Sequence, residues 1–95
     1  MRRMECKDIT CARWGGEEFL ILGPASMTKK EFLEIMNKFR ELVEENDFKI
    51  NNTTIKVTVS IGVARYNYNS FIKVAINDAD SNLYKAKQTG RNKVV

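Results

Sequence analysis

The sequence predicts an α+β fold, with helices packed on one side of a mostly antiparallel sheet. Three observations predict it: two β-compatible runs meeting at a glycine pair, two stretches with apolar residues at helical spacing, and one run with apolar residues at every second position.

The first element is a β-hairpin over residues 9–22. The runs ITCARW and EEFLIL are joined by Gly15-Gly16, which tolerate the positive φ of a tight turn. Gly23-Pro24 ends the second strand, because proline has no N–H to give to a ladder. A helix of about 28–46 follows. Thr28 and Glu31 have the spacing of a capping box, and Met27 and Phe32 that of a hydrophobic staple. Phe32, Ile35, Met36, Phe39, Leu42 and Val43 then form one apolar stripe.

Between Thr54 and Ala64, Ile55, Val57, Val59, Ile61 and Val63 share one face, which predicts a strand over 54–64. Ser70 caps a second helix of about 71–88, with Ile72, Ala75, Ile76, Ala79 and Leu83 as its stripe. Gly90 is placed to stop that helix in a left-handed conformation, and residues 93–95 add a short last strand.

Ninety-five residues allow a single domain with a modest core. A complete lack of histidine excludes histidine general bases, Ser-His-Asp triads and Cys/His zinc sites. Any chemistry must rest on carboxylates, lysine, arginine and a borrowed metal. Cys6 and Cys11 read as reduced thiols of a cytoplasmic chain, with no second pair to complete a four-thiolate site. Phe19–Leu22 is far shorter than the roughly 20 apolar residues a bilayer requires, so no membrane segment or signal peptide is expected. A net charge of +4 suits a phosphate-rich ligand, a nucleic acid or an ordinary wet surface.

Two clusters carry chemical potential. Gly15-Gly16-Glu17-Glu18-Phe19 sets bare backbone beside two carboxylates, which suits a nearby ligand and a hard cation such as magnesium. Because side chains alternate along a strand, only one of Glu17 and Glu18 is expected to face a given site. A charged turn can also serve merely to keep a hairpin edge wet. Lys87 and Gly90-Arg91-Asn92 lie at a helix C-terminus, where two cations can clamp phosphate or simply offset the helix dipole.

Taken together, RWGGEEF, SIGVA at 60–64 and ADSNLYKAKQTGRN at 79–92 resemble, in order and spacing, the GGDEF family of diguanylate cyclases. The resemblance covers residues 8–95. It implies a palm-like sheet of the ferredoxin-like, nucleotide-cyclase type, and an enzyme that joins two GTP molecules into cyclic di-GMP with release of pyrophosphate. It further implies that Gly15 and Gly16 line the nucleotide, that Glu17 is a catalytic metal ligand for Mg2+ or Mn2+, and that Glu18 supports it. Lys87 and Arg91 would bind the β- and γ-phosphates, and catalysis would require a homodimer. Ser60, Gly62, Asp80, Leu83 and Tyr84 match the family but read as structural, while Arg13 and Trp14 lean towards strand packing.

The resemblance also shows what the chain lacks. The family's first strand and first helices, with a second metal carboxylate and the guanine-reading residues, have no counterpart in residues 1–7, so the fragment alone is expected to be inactive. Loss of that central strand would leave edges on the hairpin and on 54–64, and self-association is expected there. The family's product-inhibition pair, Arg-x-x-Asp, falls on Cys6 and Ile9, or on Glu5 and Asp8 after a one-residue slip, with Arg3 nearby. Two other readings stay open: a GGDEF-like module that binds nucleotide or protein without catalysis, and a small basic RNA-binding domain. No exposed-aromatic pattern over 54–64 supports RNA, so no nucleic-acid partner is expected.

Overall fold

The computed structural model describes residues 2–3, 9–67 and 69–95. It shows an α+β chain that divides into two units, Met1–Phe32 and Leu33–Val95.

In the first unit, β1 (Arg2–Arg3), β2 (Thr10–Gly15) and β3 (Glu18–Leu22) form an antiparallel sheet in the order β1-β2-β3. Thr10 pairs with Leu22 and Arg13 with Phe19, but the next pair is Gly15 with Glu18. Trp14 is therefore an extra residue in β2, a bulge at the mouth of the hairpin. Ile9, at the entry to β2, is fully buried.

Helix α1 (Lys29–Glu45) begins at the expected local signal. The Thr28 N–H donates to Glu31 Oε1 and the Glu31 N–H to Thr28 Oγ1, both at 3.1 Å, so each residue satisfies a donor the helix start would otherwise leave open. Of its apolar stripe, Met36 is buried, whereas Leu42 is 66% exposed. Leu42 thus departs from the core position expected of it.

The expected single strand over 54–64 is not formed as one element. Instead β4 (Phe48–Ile50) and β5 (Thr53–Ile55) make a separate two-stranded hairpin. Asn51 and Asn52 form its loop with φ of +50° and +67°, the doubly positive pattern of a type I′ turn. Residues 56–60 pair with no strand among the described residues, and pairing resumes in parallel at Ile61, which bridges Val94. The Ile61 N–H donates to the Lys93 carbonyl at 2.9 Å and the Val63 N–H to the Val95 carbonyl at 2.8 Å. Residues 93–95 accordingly form a bridge and not the expected strand. Alternation records which face is apolar, but a strand also needs a neighbour for its backbone groups.

Helix α2 (Ile72–Gln88) is preceded by Phe71, whose side chain makes no capping bond. The Ser70 hydroxyl donates to the Phe71 carbonyl at 3.4 Å and leaves the helix N–H groups alone, so Ser70 is not the cap. Ile72, the first residue of the stripe, is 45% exposed and so departs from the core position expected of it. Further along, α2 packs on the 61–64 segment. Asn82 Nδ2 donates to the Val63 carbonyl at 2.7 Å, and Val63 and Ala86 are buried.

Candidate active site

The acidic turn is built by the register of β2 and β3. Pairing of Gly15 with Glu18 leaves Gly16 and Glu17 as the two loop residues. Gly16 has φ of +50°, which explains the glycine there. A Cβ built on Gly15 or Gly16 would meet nothing within 4 Å, so crowding by the described chain is not what requires them. The backbone on this side is open to approach. Glu17 and Glu18 are both exposed. Glu17 sits in the loop and Glu18 opens β3, so strand alternation does not govern the pair as the sequence alone suggested.

Arg13 does not pack as a strand residue. It is exposed, and its Nε and Nη2 donate to the Gly16 carbonyl at 3.1 and 2.8 Å. Trp14, the bulge residue, is 56% exposed and likewise contributes little packing.

The two cations belong to the second unit. Lys87 is half-buried in the last turn of α2. Past the cap residue Thr89, Gly90 turns with φ of +118°, and the Arg91 N–H donates back to the Ala86 carbonyl at 2.9 Å, the long bond of a Schellman ending. Arg91 and Asn92 both keep left-handed conformations, with φ of +61° and +49°. Asn92 holds them there: its N–H donates to Ser60 Oγ at 3.1 Å, its Nδ2 to Glu44 Oε2 at 2.6 Å, and its Oδ1 accepts from Arg40 Nη1 at 3.0 Å. Ser60 and Asn92 are therefore anchors for the segment that presents Arg91. Arg91 is exposed, and among the described residues neither it nor Lys87 makes an ion pair.

Carboxylate oxygens at the turn have the hardness magnesium or manganese prefers. Among the described residues, however, no three Asp, Glu, Cys or His groups gather into a metal site. The turn fits a divalent ion as one contributor of ligands and not as a complete cage. Of the places where the product-inhibition pair would fall, Cys6, Glu5 and Asp8 lie outside the described residues. Ile9 is apolar and fully buried.

The model of the diguanylate cyclase GGDEF domain matches residues 2–93, nearly the whole chain. The chain belongs to the GGDEF family. It represents part of a GGDEF domain. It is 37% identical over 86 residues to diguanylate cyclase A of Treponema denticola, covering 90% of this chain and 23% of that protein. Diguanylate cyclase VdcA of Vibrio cholerae is 31% identical over 93 residues, covering 95% of this chain and 27% of its own. The chain thus spans about a quarter of the length of these relatives. Among solved structures, the diguanylate cyclase SiaD of Pseudomonas aeruginosa, in complex with its activator SiaC, matches with a TM-score of 0.82 and 32% identity. That match covers 92% of this chain and 33% of SiaD.

Arg13 and Asn92 are the residues whose roles sequence reasoning missed. For Arg13 the available signal was its place three residues before Gly16. For Asn92 it was a small polar residue directly after the turn glycine and its arginine. No helix among the described residues is long and apolar enough to cross a membrane.

Proposed function

We propose that the GGDEF domain to which this chain contributes condenses two GTP molecules into cyclic di-GMP. In each half-reaction a 3′-hydroxyl attacks an α-phosphorus and pyrophosphate leaves. The observation that supports this reading is the uninterrupted Gly15-Gly16-Glu17-Glu18 turn, open at the backbone and exposed at both carboxylates, within the family match.

Phosphoryl-type transfer depends mostly on positioning and on neutralising developing charge. The bare backbone of Gly15 and Gly16 lets a nucleotide approach closely. The Glu17 carboxylate is assigned as the ligand that would hold Mg2+ or Mn2+ near the attacking hydroxyl, with Glu18 in support. Such an ion, when bound, supplies Lewis-acid stabilisation of phosphoryl oxygens. Lys87 and Arg91 would bind β- and γ-phosphate oxygens, Lys87 as a point charge and Arg91 through its planar fork. Joining two substrates symmetrically requires a second domain, so the working form is a homodimer with one GTP on each partner.

The test is to incubate the intact domain with GTP and either magnesium or manganese, and to follow products by ion-exchange chromatography. Cyclic di-GMP and pyrophosphate in a 1:2 ratio are expected. Nucleotide binding without any product would instead support a non-catalytic module.

A further inference from the structure

We propose that Arg13 is a positioning residue for Glu17, acting through the Gly16 carbonyl. The proposal rests on the reading that Glu17 acts at the reaction centre, and it concerns what aims that carboxylate.

The peptide group is planar, so the Gly16 carbonyl lies in one rigid plane with the Glu17 nitrogen and Cα. Whatever fixes that carbonyl fixes the position of the Glu17 Cα and the N–Cα axis about which its side chain turns, and so narrows the region the carboxylate can reach. Gly16 itself cannot do so, because glycine is the residue with the fewest steric limits on rotating that plane. The two-residue loop provides no strand pairing for Gly16 or Glu17. The Arg13 guanidinium provides the missing tie, with Nε at 3.1 Å and Nη2 at 2.8 Å from the same oxygen. Two donors from a rigid fork on one acceptor restrain its direction as well as its distance.

The bulge sets the register around this tie. With Trp14 as the extra residue, Arg13 stays opposite Phe19 and the next pair is Gly15 with Glu18, so the carbonyl that Arg13 holds belongs to the first of the two loop residues. Among the described residues Arg13 makes no ion pair with Glu17 or Glu18, so its charge is not used to mask the carboxylates. Its pull is on the backbone.

The experiment compares wild type with Arg13→Ala and Arg13→Lys by two readouts. In the 95-residue chain, free of metal and nucleotide, NMR follows the Gly16 carbonyl and Glu17 amide resonances. Shifts or broadening confined to residues 15–18 are expected in both variants, with lysine the milder because it offers a single compact donor. In the intact domain, kcat is expected to fall about 10- to 100-fold in Arg13→Ala, with the KM for GTP within about twofold. Should the alanine variant fail to fold, the lysine variant decides alone.

An unchanged Glu17 amide together with an unchanged kcat would overturn the proposal. So would a loss confined to KM, which would make Arg13 a substrate contact. If Glu17→Ala keeps full turnover, the catalytic reading of Glu17 fails by itself. In that case the NMR comparison still decides whether Arg13 holds the turn.

Discussion

A Cβ added to Gly62 would stand 2.2 Å from the Leu83 amide nitrogen and 2.1 Å from the Ala79 carbonyl oxygen. Both are backbone atoms of α2, so no side chain can swing away to make room. The helix rests on the 61–64 segment at a distance that only glycine permits, and Asn82 fastens the same contact through the Val63 carbonyl. Gly62→Ala is therefore expected to cost about 3 kcal/mol or more, since a core overpacked against backbone must move a whole element. Chemical denaturation of the two proteins measures this, and equal midpoints would refute the contact.

The start of α1 gives a pH prediction. The Thr28 backbone N–H, and then its side chain, hold the Glu31 carboxyl below its ordinary value of 4.5. A group depressed on folding contributes stability that is fully present above its unfolded value and is lost as pH falls through the folded one. The capping contribution should therefore persist at neutral pH and fade below about 4.5. An NMR titration should place Glu31 under 4.5, and Thr28→Ala should raise it.

Product inhibition is expected to be weak or absent in the intact enzyme. The second place of the inhibitory pair is occupied by Ile9, which is apolar and fully buried, so it cannot offer a carboxylate to a cyclic dinucleotide. Titrating cyclic di-GMP into the cyclase assay should leave the rate nearly constant. Tight inhibition abolished by changing Arg3 would show that the pair is read in another register.

Among the open backbone edges of the described residues, two lie where the sequence predicts them. β3 has β2 on one side and no strand on the other, and residues 56–60 have no strand partner. Phe19 and Val57, 65% and 40% exposed, add apolar surface to these two segments. Unpaired edges of this kind recruit further strands. Light scattering of the 95-residue chain should show a mass that rises with concentration, whereas a monomer at every concentration would refute association.

What the sequence revealed was what local chemistry decides. The capping box of Thr28 and Glu31, the left-handed stop at Gly90 and the turn at Gly16 each depend on residues within a few positions. The hairpin of β4 and β5 also had a local signal, since Asn51-Asn52 between β-compatible residues is a turn pattern, but the alternation from Ile55 to Val63 drew Thr54 and Ile55 into the expected strand over 54–64 and left Phe48–Ile50 without a strand reading. That strand fails because its pairing depends on distant partners, and among the described residues only 93–95 lie beside Ile61 and Val63. At the site, the glycines and carboxylates could be read directly. The Arg13 tie could not, because alternation records only which face of a strand a side chain takes, and not that this one turns back onto the backbone of its own loop.

Glu17 is the residue on which the proposed chemistry of the turn depends most directly. Glu17→Ala in the intact domain, assayed for cyclic di-GMP from GTP with magnesium and with manganese, should lose at least about 100-fold in kcat while its circular dichroism and unfolding midpoint stay unchanged. An exposed loop carboxylate contributes little to folding, so these two readouts separate catalysis from stability. Wild-type turnover in that folded variant would contradict the assignment of this turn as the catalytic centre.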